Sequence, residues 1–241
     1  MQRYFIDNDK IFEGYAIIEN EDVHHIKDVM RFKVGDTVIL NTFSGKVFKA
    51  NIQEIRKKEV KLQIENEVFS EYKPLNLDLA LAMFKKDNFE LAIQKCTELG
   101  INKIIPIKTE RSIIKVDDFS KKKDRFLKIV KEASEQSERT ILPIIADYIK
   151  PSELNLEEYE NKFVCFAREG SNLISREIKK SDLNGKTLVA IGPEGGFTEQ
   201  EITQFNSLGF ISVSLGNTIL RAETAAIYVT GLFRYLEEEK K

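Results

Sequence analysis

The hydrophobic period of this chain changes once, near Lys73-Pro74, and that change limits the folds open to it. Before it, Phe48, Ala50 and Ile52 alternate with Lys49, Asn51 and Gln53, and Val60, Leu62 and Ile64 alternate with Lys61, Gln63 and Glu65. A period of two puts successive side chains on opposite faces, which is the pattern of half-buried strands. Ser44-Gly45 supplies a turn before the first run, and Arg56-Lys57-Lys58 bends the chain between the two. Residues 1–72 therefore read as a small β barrel. From residue 73 to 241, apolar strands alternate with amphipathic helices, the spacing of an α/β domain. Leu77, Leu79, Leu81 and Met83 mark a strand. Asp87, with Glu90 three residues on, is expected to cap a helix that Gly100 stops. Strands are expected at 101–107, 163–166, 187–191 and 211–215. The capping pair Thr198 and Glu201 opens a helix ending near Gly209, and the final helix starts near Ala222.

The balance of residue types narrows the class. With 42% hydrophobic and 32% charged residues and a mean hydropathy of −0.30, the chain suits a globular fold rather than a disordered or membrane-spanning one. Its first twenty residues carry charges throughout and contain no apolar signal segment, so a cytoplasmic location is expected. Cys96 and Cys165 lie far apart without clustered histidines, which argues against both a disulfide framework and a metal site. A net charge of −2 and a pI of about 5.9 disfavour nucleic-acid binding by bulk charge. An RNA partner would need a local basic face. Residues 82–150 offer a modest one, with fifteen Lys/Arg against eleven Asp/Glu. Lys121-Lys122-Lys123 and Arg125 fall on a helix there and read more readily as a solvated face.

Two segments carry the chemistry. Ile191-Gly192-Pro193-Glu194-Gly195-Gly196-Phe197 leaves a strand and enters a capped helix, where α/β folds bind ligands. It matches neither of the glycine-rich phosphate motifs, and Glu194 would repel a phosphate. An ordinary tight turn is the plainer alternative. A second loop, from Leu215-Gly216-Asn217-Thr218-Ile219-Leu220 into Arg221-Ala222-Glu223-Thr224-Ala225-Ala226, also joins a strand to a helix. Together the loops could wall one pocket, with Arg221 and Thr224 as polar contacts. Alternatively, Arg221 pairs with Glu223 or Glu194, and Thr224 caps the helix.

IGPEGGF followed by LGNTILRAETAA closely resembles the RsmE-type 16S rRNA uridine N3-methyltransferases of the SPOUT superfamily. His24-His25-Ile26, Val29 to Asp36, ELAIQKCTELG (90–100) and EASEQSERTILP (132–143) are similar to further family signatures, so the resemblance covers residues 3 to 235. Met30, where leucine is usual, and Ser137, where cysteine is frequent, depart from the pattern. The resemblance implies a PUA-like barrel followed by a SPOUT α/β domain threaded into a trefoil knot, assembled as a homodimer. It implies S-adenosylmethionine held by Gly192, Glu194, Gly195, Gly196, Leu215, Gly216, Ile219, Leu220, Arg221 and Thr224.

A methyltransferase of this kind must place uracil N3 behind an activated methyl group and dispose of the N3 proton. Arg221 is expected to stabilise charge on the uracil carbonyls, with Glu194 or water taking the proton. Arg3, Arg31, Lys33 and Arg139 are the phosphate-binding candidates, and Gln136 the base-binding one, for 16S rRNA within the small ribosomal subunit. A noncatalytic RNA-binding or assembly factor, and a metabolic enzyme with a phosphate-bearing substrate, are the competing readings.

Overall fold

Six strands build the sheet of the first unit: β1 (Arg3–Ile6), β2 (Ile11–Phe12), β3 (Tyr15–Glu19), β4 (Thr37–Thr42), β5 (Val47–Ile55) and β6 (Glu59–Glu67). Their spatial order is β1-β4-β5-β6-β3-β2, with β1 parallel to β4 and every other pair antiparallel. Ala50, Ile52, Val60 and Leu62 are buried while Gln53, Lys61 and Gln63 are exposed, so the alternation does orient β5 and β6. A helical turn α1 (Glu21–His24) runs on into a wider-wound turn over His25–Val29, dropping Val23 and Ile26 into the barrel core beside Tyr4, Ile18 and Leu40.

The computed structural model describes residues 1–112, 116–167, 169, 172–181 and 184–239. The first unit is discontinuous in sequence, since it comprises Met1–Lys73 together with Ser134–Leu142. Backbone and side-chain bonds fasten that second piece. Asn41 Nδ2 donates to the Arg139 carbonyl at 2.9 Å, and the Phe5 N–H donates to Glu135 Oε1 at 3.0 Å.

The second unit, Pro74–Ala133 and Pro143–Lys241, is built on a parallel sheet. Its elements are β7 (Leu77–Ala82), α2 (Lys86–Glu98), β8 (Lys103–Ile107), α3 (Val116–Gln136, whose last residues pass into the first unit), β9 (Ile144–Ile145), β10 (Asn161–Cys165), α4 (Ile174–Lys180), β11 (Thr187–Ile191), α5 (Glu199–Ser207), β12 (Ile211–Val213) and α6 (Ala222–Glu238). Strand order is β12-β10-β11-β7-β8-β9, and every pair is parallel. β7 and β11 are buried along their whole length, as central strands of a sheet covered on both faces must be.

Local signals shape the helices unevenly. Thr198 Oγ1 accepts the Glu201 N–H at 3.2 Å and Glu201 Oε2 accepts the Thr198 N–H at 2.8 Å, the reciprocal cap expected for α5. Gly100 (φ 101°) and Gly209 (φ 84°) end α2 and α5 in the left-handed region. The Asp87/Glu90 cap does not form. Lys85 holds the cap position, and Glu90 instead takes the Arg125 guanidinium of α3 in a two-pronged pair at 2.6 and 2.7 Å. Two charge-assisted bonds outweigh one bond to a backbone N–H.

At the strand-start edge of this sheet Asp78 is wholly buried. Its Oδ2 accepts the Tyr159 hydroxyl at 2.6 Å and lies 3.1 Å from Lys186 Nζ, while Oδ1 accepts Asn102 Nδ2 at 2.7 Å. Burial and this carboxylate push the Tyr159 phenol well above its ordinary range. No helix among the described residues is long and apolar enough to cross a membrane.

Candidate active site

Parallel strands all end at one edge, so the loops after β8, β10, β11 and β12 gather there. They enclose a cavity of about 640 Å³. That volume suits a small-molecule ligand.

The loop after β11 is folded tightly on itself. A Cβ on Gly192 would come within 3.1 Å of the Phe197 nitrogen, so only glycine lets the chain double back. The Gly196 N–H closes the turn on the Pro193 carbonyl at 2.8 Å. Two neighbours anchor the outer part: the Lys85 N–H donates to Glu194 Oε1 at 3.2 Å, and Arg111 Nη1 donates to the Gly195 carbonyl at 2.6 Å. The loop after β12 is tied by Ser214, whose Oγ donates to the Gly216 carbonyl at 3.0 Å. Gly196 (φ 68°) and Gly216 (φ 136°) both need the conformational freedom of glycine, and a Cβ on either would meet nothing within 4 Å. At these two points bare backbone faces open space. Ile219 is 85% exposed.

Of the residues expected to hold the cofactor, Gly192, Glu194, Gly195, Gly196, Leu215, Gly216, Ile219 and Leu220 line this cavity. Arg221 and Thr224 are not among its lining residues, and both are exposed. Arg221 occupies the cap position of α6 and forms no ion pair among the described residues, with neither Glu223 nor Glu194 as partner. Thr224 lies inside the first turn of α6 and does not cap it.

Glu110, Arg111, Cys165, Phe166 and Ala167 also line the cavity and carry no glycine signature that sequence reasoning could have caught. Their signal was positional, since they lie at or just beyond the ends of β8 and β10. Burial pushes the Cys165 thiol up to about 12, which keeps it protonated and removes it as a nucleophile.

The RNA-contact candidates all fall in the first unit but differ in accessibility. Arg31, in the left-handed region at φ 54°, Lys33 and Gln136 are exposed. The Arg3 side chain is 17% exposed and sits 3.4 Å from Glu138. Arg139 is 1% exposed, donates from Nε to the Ile141 carbonyl at 3.1 Å and lies over the Tyr72 ring. Its placement is that of a core residue, not a surface phosphate contact. Neither histidine belongs to the cavity: His24 pairs with Asp28 and His25 Nδ1 lies 3.0 Å from the Tyr4 hydroxyl. On α3, Lys123 and Arg125 are engaged by Asp147 and Glu90, which reduces the free basic charge of that run. No group of three or more His, Cys, Asp or Glu able to hold a metal occurs among the described residues.

Two domain models match the chain. An RNA methyltransferase domain model matches residues 71–234, and an RNA methyltransferase PUA domain model matches residues 18–65. The ribosomal RNA small subunit methyltransferase E of Bacillus subtilis (strain 168) is 34% identical over 99% of this chain and 98% of its own. Its namesake from Rickettsia conorii is 37% identical over 95% of this chain and 91% of its own. A crystal structure of a ribosomal RNA small subunit methyltransferase E from Neisseria gonorrhoeae bound to S-adenosyl methionine matches with a TM-score of 0.87 at 28% identity, covering 98% of both chains. With a domain model spanning most of its length and relatives matched nearly end to end, the chain belongs to the ribosomal RNA small subunit methyltransferase E family.

Proposed function

We propose that this protein transfers a methyl group from S-adenosylmethionine to N3 of a uridine in 16S ribosomal RNA. The observation that carries the proposal is the cavity walled by two glycine-bearing loops, with bare backbone at Gly196 and Gly216. Its chemistry fits the cofactor. Glu110, Glu194 and Glu199 line the cavity with Arg111, an acidic balance that suits a cationic ligand without phosphate. Ile219 and Leu220 add apolar surface for its uncharged part. When bound, S-adenosylmethionine supplies an activated methyl carbon on a sulfonium sulfur.

The residues around it must then handle the uracil. N3 lies on the base-pairing edge, so the target is unpaired or flipped out when it enters. Arg221, exposed between the lining residues Leu220 and Ala222, holds its guanidinium against a uracil carbonyl and stabilises charge that grows as the N3 proton leaves. Glu194 has one oxygen tied to the Lys85 N–H, and its Oε2 accepts that proton. Arg31 and Lys33 contact phosphates, and Gln136 contacts an RNA base; Arg3 contributes more weakly because Glu138 already pairs with it. Arg139 is left out of this set.

The wider setting belongs to the same reading. A cytoplasmic homodimer acts on an assembled small subunit. Exposed Leu91 on α2 and Tyr228 and Tyr235 on α6 offer apolar surface to a second copy. The trefoil knot belongs to the same reading; the chain leaves the edge strand β12 and returns as α6 against β7 and β11 in the middle of the sheet. Incubating the protein with methyl-labelled cofactor and small subunits, then mapping the label by mass spectrometry, tests the function. Label on uracil N3 is the expected result. Label on ribose, on another base or nowhere would refute it.

A further inference from the structure

Arg111 is built into its place. It follows β8 in a turn where the Ser112 N–H donates to the Thr109 carbonyl at 3.1 Å and the Thr109 and Ser112 hydroxyls lie 2.7 Å apart. Thr109 is 5% exposed. The next residue is fastened too, because the Glu110 N–H donates at 2.7 Å to Oε1 of Glu201, the residue whose other oxygen caps α5. From this hydrogen-bonded turn the Arg111 guanidinium reaches the Gly195 carbonyl at 2.6 Å.

The bond falls on one particular peptide. The unit joining Gly195 to Gly196 has its carbonyl on Arg111 and its N–H on the Pro193 carbonyl at 2.8 Å, so both polar ends are held. A peptide between two glycines is otherwise the least restrained in a chain, since neither flanking residue has a Cβ to limit rotation. Removing Arg111 would leave one end free and let the plane turn.

We propose that Arg111 is a positioning residue: by holding the Gly195–Gly196 peptide, it sets the shape of the β11 loop before the cofactor arrives. This rests on reading the cavity as the S-adenosylmethionine site. Arg111 acts through the loop, so it governs cofactor affinity and not the rate of methyl transfer once the site is full. Ordering a loop in advance removes that entropy from the binding step.

Gly195 provides an independent handle. A Cβ there would point at Arg111, 3.1 Å from its Cδ and 3.5 Å from its Cβ. Gly195→Ala therefore crowds the arginine stem and loosens the latch.

The test is calorimetric titration of the full-length protein with S-adenosylmethionine across a two-position cycle, alongside kcat at saturating cofactor. Arg111→Ala is expected to raise Kd about tenfold, the low end for one charge-assisted hydrogen bond in an exposed setting, with kcat within about twofold of the parent. Gly195→Ala should weaken binding when Arg111 is present and add nothing in the Arg111→Ala background. Arg111→Lys, which keeps a donor on a long stem, should stay within about threefold of the parent and stands in if the alanine variant does not fold. Unchanged affinity in Arg111→Ala, additive effects in the cycle, or a lysine variant as weak as alanine would each overturn the latch. A parent protein that binds no S-adenosylmethionine would overturn the cofactor assignment and the latch with it.

Discussion

Asp78→Ala should separate what holds the second unit together from what binds its ligand. The carboxylate is wholly buried and serves three donors. Tyr159, 4% exposed, would lose a charge-assisted bond of 2.6 Å worth about 1.5–3 kcal/mol. Asn102, partly buried, would lose about 1 kcal/mol. Lys186 keeps Glu158 at 2.6 Å and has 28% of its side chain in water, so its loss is screened and adds little. The sum is about 2.5–4 kcal/mol, a large part of the roughly 5–15 kcal/mol available to a folded domain. Urea unfolding followed by circular dichroism, suited to a chain without tryptophan, should show a midpoint lowered by about 1 M for an m-value near 3 kcal/mol/M. Cofactor affinity in the folded variant should not change. Asp78 sits at the start of β7 and the cavity gathers at the strand ends, about 13 Å away for four residues of strand. A loss below 1 kcal/mol would refute the energetic argument, and weakened cofactor binding would refute the separation.

Thr198→Ala removes the reciprocal cap of α5 and should cost about 1 kcal/mol, read as a melting point lower by roughly 2–4 °C. Arg221→Ala should lower kcat by about 100-fold or more while leaving S-adenosylmethionine affinity within about threefold, because the side chain is not part of the cavity lining. Equal loss in affinity would move Arg221 into the cofactor site. With its thiol pushed up to about 12 by burial, Cys165 has little thiolate at neutral pH. Its alkylation, followed by peptide mapping, should therefore rise about tenfold per pH unit beyond pH 9, and a plateau near pH 9 would show an ordinary thiol.

Sequence reasoning succeeded where structure is decided by near neighbours. The Thr198/Glu201 cap and the 187–191 strand match the structure residue for residue, since hydrogen bonds and burial there follow from spacing alone. The two glycine loops were legible because their backbone conformations exclude most side chains. Elsewhere distant partners decided. Glu90 was drawn away from its helix start by Arg125, thirty-five residues on, and no local pattern records that choice. Arg139 read as a surface cation until Tyr72, Asn41 and Ile141 closed around it. Arg111 went unnoticed for the same reason: its importance lies in which carbonyl it reaches across the fold.

The division of the first unit into Met1–Lys73 and Ser134–Leu142 bears on how the protein is made. Synthesis runs from the amino terminus, so the barrel strands leave the ribosome well before the segment that carries Arg139 into their core. At roughly 5–20 residues per second the sixty-nine residues from 73 to 142 take about 3–14 s. Until then the Asn41 side chain and the Phe5 amide have no native partner. A nascent chain stopped at Lys73 is thus an unfinished barrel, and completion of the first unit must await translation through Leu142.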